Sequence, residues 1–407
     1  MSTTRQLHNV AVYLGFSIAT STIGFGAVMV LTRLLAPSEY GLIGVFFSLL
    51  FFVAPVVSLS ADGLIAANKT TLDAQRYLSF QQTYICLAYA CFAALQVLFL
   101  IAWVAKVYDN LLFAGAPLLG LVRFLAAMAA TEYVAEQRPV AFGVMSVLTS
   151  AFSLALTVVL IKLFGPWGGF RVLAMFAADI LMLAVRYRGR LRLLVQLRWN
   201  REFVTQILRF GLPGLAAVSG GWALNESDKV IIARLAGLDA AGLYAAAAAL
   251  AAIMLTFNQS LTNALYPEMF RKLATGASGT RPILIRYTAS FVGLSGAFCF
   301  LVVSGYFLVA DILLPPRYLG GRDVFVALVL SGIAVSFYRP FGLLAEYFKL
   351  ARIRAAAILG GGGVTIAVAA IGVRHGGLLW APVGIACGYV CAALALAMGL
   401  HWYERNR

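Results

Sequence analysis

The sequence predicts an all-α integral membrane protein whose twelve transmembrane helices form two six-helix bundles related by a pseudo-two-fold repeat. Three observations carry this. The 407 residues are 62% hydrophobic and 12% charged, with a mean hydropathy of +0.90, whereas a soluble domain carries about a quarter charged residues. Twelve apolar segments reach the roughly 20 residues that a bilayer crossing requires. A short motif of the first half returns 201 residues later.

In chain order the spans are expected at residues 10–32, 40–61, 82–105, 111–133, 140–164 and 166–185, then at 210–233, 241–266, 287–312, 324–347, 355–373 and 378–403. The first is too long for the core of a signal peptide, and Arg33 follows it where a small-residue cleavage site would stand. No connection has room for a globular extramembrane domain. The most distinctive connection, 186–209, mixes Arg186, Arg188, Arg190, Arg192, Arg198, Arg201 and Arg209 with Leu191, Leu193, Leu194, Leu197, Trp199 and Phe203. It reads as a basic amphipathic segment on the cytoplasmic surface, either a linker held to anionic head groups or a specific lipid site. The expected domains are therefore an N-terminal bundle 1–185, the linker 186–209 and a C-terminal bundle 210–407.

The net charge of +15 would suit nucleic acid, but Lys and Arg gather in the connections on one face of the membrane. That is the positive-inside bias, so nucleic acid is not an expected partner, and an even number of spans puts both termini in the cytoplasm. The five cysteines, Cys86, Cys91, Cys299, Cys387 and Cys391, all lie within apolar runs, where thiols behave as small apolar groups. With three scattered histidines, no metal site is expected, and no motif calls for a cofactor. Gly360-Gly361-Gly362-Gly363 lies inside a span and lacks the Lys-Ser/Thr of a phosphate loop, which assigns it to close helix packing or flexibility.

The repeat pairs Arg33-Leu34 and Gly41-Leu42 with Arg234-Leu235 and Gly242-Leu243. Each copy is a helix end, a short turn and a new helix start, with Ser38 and Asp239 as the expected N-caps. A shift of six spans makes the repeats parallel, related by an axis along the membrane normal. Pro55, Pro117, Pro213, Pro340 and Pro382 fall within the spans, where they are expected to permit bending.

Charge inside the spans is where function is expected, because a buried ion is costly unless paired or wetted. Arg123, Arg171, Lys229 and Arg339 are the mid-span cations, and Asp179, Glu226 and Asp228 the acids. Glu226 and Lys229 are spaced i, i+3, and Asn225 and Asp228 share a face by the same spacing. Singly, these groups suit structural ion pairs; as a set they favour a hydrated cavity between the bundles. Guanidinium groups there suit bidentate recognition of phosphate, and a carboxylate can exchange a proton or hold a cation. Glu132 and Glu346 are expected at cytoplasmic helix ends and Asp62 at the end of the second span, while Trp222 either faces lipid or lines the cavity.

Leu31-Thr32-Arg33-Leu34-Leu35-Ala36-Pro37-Ser38-Glu39-Tyr40-Gly41 resembles the turn after the first helix of bacterial oligosaccharide flippases of the Wzx type. Phe210-Gly211-Leu212-Pro213, then Asn225 and Asp228, Gly242-Leu243-Tyr244 and Tyr266-Pro267 resemble the start of their second half, and Asp62-Gly63-Leu64 is similar too. That family sits in the multidrug/oligosaccharidyl-lipid/polysaccharide exporter superfamily. The resemblance implies two bundles that open alternately to either side of the bacterial inner membrane. It implies an undecaprenyl-diphosphate-linked oligosaccharide as substrate, moved to the outer leaflet, with a cation gradient as energy source. It implies no catalysis and no cofactor. As partners it implies membrane lipids and the lipid-linked oligosaccharide, with a polysaccharide polymerase and chain-length proteins as further candidates. On this reading Arg123, Arg171, Lys229 and Arg339 are candidate substrate contacts, and Asp179, Glu226 and Asp228 are candidates for ion coupling. An exporter of small drugs or metabolites shares the architecture. A membrane glycosyltransferase or polymerase is the alternative of another class, and it would need a large outer loop that this sequence does not show.

Overall fold

The computed structural model describes residues 3–108, 110–188, 191–275 and 279–405; Arg190, expected on the cytoplasmic surface, lies outside them. Among the described residues there is no strand. The helices are α1 (Thr3–Leu34), α2 (Pro37–Val57), α3 (Gly63–Thr71), α4 (Ala74–Val104), α5 (Ala116–Ala135), α6 (Pro139–Phe164) and α7 (Gly169–Arg186). They continue with α8 (Arg201–Asn225), α9 (Ser227–Thr275), α10 (Thr280–Leu313), α11 (Arg322–Tyr347), α12 (Ala351–Gly376) and α13 (Trp380–Arg405). Eleven are long and apolar enough to cross a membrane. α7 is as long as a short span but less apolar, because Arg171, Asp179 and Arg186 fall within its 18 residues. α9 runs for 49 residues but kinks at Gly237, whose φ of +87° suits glycine and strains other residues. Its first turns continue α8 and the rest makes the next crossing, so the described residues supply the twelve crossings expected.

Helices outrun the apolar stretches that announce them, since polar turns at either end hydrogen-bond equally well. α1 starts at Thr3 and α8 at Arg201, before the apolar runs begin. α4 starts at Ala74 because Asp73 caps it, accepting from the amides of Gln75 at 3.0 Å and Arg76 at 2.9 Å. α2 stops at Val57 in a turn where Leu59 and Ser60 take φ values of +52° and +50°. The expected N-caps are corrected: α2 starts at Pro37 and the helix resumes directly after Gly237, so Ser38 and Asp239 lie inside their helices. Pro117 and Pro382 sit in the first turns of α5 and α13, where a missing N–H costs nothing, whereas Pro55, Pro213, Pro340 and Pro267 are interior. The 186–209 connection is not one amphipathic element. Arg186 ends α7, Leu191–Leu194 form a short 3-10 turn, and from Arg201 the chain is already α8.

Packing divides the chain into two compact units, Met1–Leu35 with Leu49–Val218, and Ala36–Ser48 with Ser219–Arg407. The divisions thus fall within α2 and α8 rather than in the 186–209 connection. That connection belongs to the first unit, where the Phe203 and Phe80 rings meet edge-on at 5.6 Å and the Tyr89 hydroxyl donates to the Leu194 carbonyl at 2.9 Å. In this unit α1 packs on α6, α6 on α7, and α5 on α4 and α7, around a core that includes Phe80, Tyr84, Phe124 and Met128. In the second unit α13 packs on α11 and α12, and α9 on α10 and α11. A buried polar knot pins three of these helices. Asn258 of α9 donates to the Gly332 carbonyl at 3.0 Å and accepts from Ser295 of α10 at 2.9 Å and Ser336 of α11 at 2.6 Å. The glycine run serves close packing as expected: a Cβ on Gly361 would stand 2.5 Å from the Gly388 carbonyl oxygen, and one on Gly362 2.6 Å from Ala223 Cβ.

The two copies of the repeated motif meet each other inside the second unit. A Cβ on Gly41 would overlap the Leu238 carbonyl, and one on Gly242 would overlap the Pro37 carbonyl. Between Gly44 and Ala245 a Cβ–Cβ separation of 2.6 Å would result. Positions 37, 41 and 44 are each 201 residues from 238, 242 and 245. The contact is therefore self-complementary, as a two-fold axis requires, and only glycine lets the backbones approach so closely.

Gly242→Val is expected to destabilise the protein by about 3 kcal/mol, since neither backbone can move aside. Thermal unfolding of the detergent-solubilised chain would show it. Gly363→Val, where nothing lies within 4 Å of the new Cβ, should leave the transition nearly in place.

Candidate functional site

Four helices of the first unit enclose a cleft of about 200 Å³, lined by Thr20, Ile23, Gly24 and Ala27 of α1, Arg123 of α5, Thr149, Ser150 and Ser153 of α6, and Arg171, Met175, Ala178 and Asp179 of α7. Helical spacing creates it. Arg171, Met175, Ala178 and Asp179 fall on one face of α7, and Gly24 adds no side chain between Thr20, Ile23 and Ala27 on α1. Arg123 Nε lies 3.1 Å from Asp179 Oδ2, yet neither atom makes an aligned hydrogen bond. The charges meet without the directional bond that would lock them. Asp179 is 8% exposed and Arg123 42%, so the carboxylate is sunk in the protein while the guanidinium reaches the opening. Arg171 Nη1 donates to Ser153 Oγ at 2.9 Å, which fixes it to the same wall.

The second unit holds the other charged cluster. α8 and α9 are interrupted at a single residue, Glu226, and the Ser48 hydroxyl of α2 donates to the Glu226 carbonyl at 2.5 Å. Trp222 donates its indole N–H to the Ser48 carbonyl at 2.8 Å, so its polar edge faces protein. Lys229 Nζ stands 2.8 Å from Glu226 Oε2 and 3.6 Å from Asp228 Oδ1. Asp228 Oδ2 accepts from the Tyr244 hydroxyl at 2.5 Å, and Asn225 Oδ1 from that of Tyr389 at 2.9 Å. The i, i+3 pairing of Glu226 with Lys229 is as expected from spacing. Asn225 and Asp228 share a face but bond in different directions.

Of the seven mid-span charges, the structure thus gathers Arg123, Arg171 and Asp179 at one cleft and Glu226, Asp228 and Lys229 in one cluster. Arg339 of α11 stands apart: among the described residues no ion pair joins it to the cluster, and its buried Nε has no hydrogen-bond partner. The richest network had only its carboxylate foreseen. Glu132 accepts from Arg186 at 2.9 Å, from the Tyr77 hydroxyl at 3.1 Å and from Gln81. Arg186 also holds Glu136 at 2.9 Å and stacks 4.2 Å above the Tyr133 ring. Its signal was Gln81-Gln82, polar residues at the edge of an apolar run. Among the described residues no group of three or more His, Cys, Asp or Glu could hold a metal ion.

The family-like motifs Asp62-Gly63 and Phe210-Gly211-Leu212-Pro213 face one another. A Cβ on Gly63 would sit 3.4 Å from the Phe210 ring, and Gly211 lies directly against the Leu59 carbonyl. Asp62, in the turn after α2, accepts from Ser58 at 3.0 Å and more weakly from Tyr84 at 3.4 Å. Burial pushes its carboxyl above the ordinary carboxylate range, and these bonds offset only part of that.

Spanning helices in two bundles, with charge at membrane depth and a cleft holding two guanidinium groups and a carboxylate, define a polytopic membrane protein. Among solved structures, the lipid II flippase MurJ in an inward closed conformation matches with a TM-score of 0.68, over 95% of this chain and 87% of that one, at 12% identity. An inward-facing multidrug resistance MATE family transporter of the MOP superfamily gives 0.64 over 97% of each chain, at 14% identity. At these identities the likeness is one of fold, and it is the two-bundle fold expected. No curated protein matches by sequence. The model of the polysaccharide biosynthesis protein family matches residues 30–318, and the chain belongs to that family.

Two outcomes follow for stability. Lys229→Ala leaves two carboxylates without their cation and is expected to cost about 3 kcal/mol, with part recovered in Lys229→Ala/Glu226→Gln; thermal melts of the three proteins measure it. A carboxyl raised by folding favours the folded state at low pH and loses that contribution as pH rises through the raised value. The Asp62 contribution is therefore expected to fall away as pH rises above about 4: the melting temperature of Asp62→Asn relative to wild type should climb over that range, and the variant should melt above wild type in alkaline buffer.

Proposed function

We propose that the protein is a flippase that carries an undecaprenyl-diphosphate-linked oligosaccharide, such as an O-antigen or exopolysaccharide unit, from the cytoplasmic to the outer leaflet of the bacterial inner membrane, coupled to a cation. In this reading the halves 1–185 and 210–407, joined by 186–209, open alternately to the two sides. Both termini are cytoplasmic, and a polysaccharide polymerase with chain-length proteins receives the product.

The observation that carries the reading is the cleft of the first unit. Arg123 and Arg171 line it at membrane depth against a single carboxylate, Asp179, with hydroxyls of Thr20, Thr149, Ser150 and Ser153 around them. Two guanidinium groups match the clustered oxygens of a diphosphate, and a hydroxyl-rich wall matches sugar. Membership of the polysaccharide biosynthesis family supports a glycan cargo, and a similarly folded protein named as a lipid II flippase supports a lipid-linked one. Lys229 and Arg339 are further candidate contacts, Lys229 only once it parts from Glu226. Asp179, Glu226 and Asp228 are the candidates for ion coupling.

The test is leaflet exposure of a fluorescent lipid-linked oligosaccharide in proteoliposomes, followed with a membrane-impermeant quencher. Arg123→Ala/Arg171→Ala is expected to slow exchange by about 100-fold or more, each lost charge-assisted bond being worth roughly 1.5–3 kcal/mol. Exchange by the folded double variant at the wild-type rate would sink the assignment of the cleft.

A further inference from the structure

We infer that Lys229 is a resident cation: its ammonium fills the acidic site of the second unit, which therefore takes no ion from solution. The site has the parts of a cation site at an interrupted membrane helix. The helix breaks at Glu226, two carboxylates converge beside the break, and the Asn225 amide oxygen lies one residue away. Its occupant is on hand. Lys229 Nζ sits 2.8 Å from Glu226 Oε2 and 3.6 Å from Asp228 Oδ1, and its side chain is only 13% exposed. Both oxygens of Asp228, the Glu226 carbonyl and the Asn225 amide oxygen, which accepts from Tyr389 at 2.9 Å, are engaged from within the protein. Tyr244 donates to Asp228 Oδ2 at 2.5 Å, the Lys229 amide donates to Asp228 Oδ1 at 2.7 Å, and Ser48 takes the Glu226 carbonyl at 2.5 Å. An ion arriving from solution would have to displace an ammonium tethered to the neighbouring residue, whose effective concentration no free ion approaches.

The contrast with the first unit is in alignment. Lys229 bonds Glu226 as an aligned donor, whereas Arg123 Nε and Asp179 Oδ2 are 3.1 Å apart without an aligned bond. Of the three coupling candidates in the flippase reading, Asp179 is therefore the one whose counter-charge can leave. That consequence rests on the flippase reading, but the resident cation does not.

The test uses the full-length protein in detergent, without substrate. Melting temperature is measured against increasing NaCl or KCl, with choline chloride at equal ionic strength as the reference. Wild type is expected to show no shift beyond that of choline. Lys229→Ala, which vacates the ammonium position between the two carboxylates, is expected to start lower and to regain stability saturably with Na+ or K+. A saturable Na+ or K+ shift in wild type that Asp228→Asn removes would overturn the inference, as would a folded Lys229→Ala that responds to neither ion. If Lys229→Ala does not fold, equilibrium binding of radioactive sodium to wild type and to Asp228→Asn decides alone: equal binding supports the resident cation, and binding lost with Asp228 refutes it. Because no oligosaccharide enters these measurements, failure of the flippase reading would leave their outcome unchanged.

Discussion

A carbonyl released from its helix in hydrocarbon has no water to bond, and this constraint organises the second unit. At Glu226 the helix pauses for one residue, and the freed oxygen goes to the Ser48 hydroxyl, whose own carbonyl is held by the Trp222 indole. That exchange ties the middle of α2 to the helix break. The glycine contact a few turns along, Gly41 and Gly44 against Gly242 and Ala245, brings the same segments into backbone contact. Together they account for a division that covalent order would not suggest: Ala36–Ser48 packs with the second half of the chain. The serine alone would not hold two helices, and the glycines alone would leave the carbonyl unpaired.

The two charged sites answer the cost of buried charge in opposite ways. In the second unit the charges are compensated by close, directional bonds, and phenols of Tyr244 and Tyr389 hold the rest. In the first, Arg123 and Asp179 are near but not aligned, and the guanidinium extends toward an open cleft. A misaligned pair is worth less than an aligned one, so less is lost when its partners separate.

Much of this was legible in the sequence because the bilayer imposes simple rules. Spanning length and hydropathy are enough for twelve crossings, and the 201-residue echo singles out Gly41 and Gly242, which meet in the fold. The i, i+3 spacing gave the Glu226–Lys229 pair directly. What stayed hidden was whatever depends on distant segments meeting. Nothing about Ser48 marks it as the partner of Glu226, because a serine in an apolar helix most often bonds its own preceding turn. Nor does Asn258 announce Ser295 and Ser336 on two other helices. Helix ends were misplaced for a different reason: apolarity reports the membrane, while capping and hydrogen bonding decide where a helix stops, as Asp73 does for α4.

The repeat sharpens the difference between the units. Under the same 201-residue shift, Gly24 and Ala27 of α1 correspond to Asn225 and Asp228. In the first unit these two positions carry almost no side chain, and they line the cleft. In the second they carry the amide and carboxylate that bond Tyr389 and Tyr244. One helix face has thus diverged in two directions from a common plan. Emptied of side chains, it opens room beside Arg123 and Arg171; filled with polar groups, it closes on itself around Lys229. The two positions thus help line a cleft in the first unit and carry hydrogen-bonded polar groups in the second.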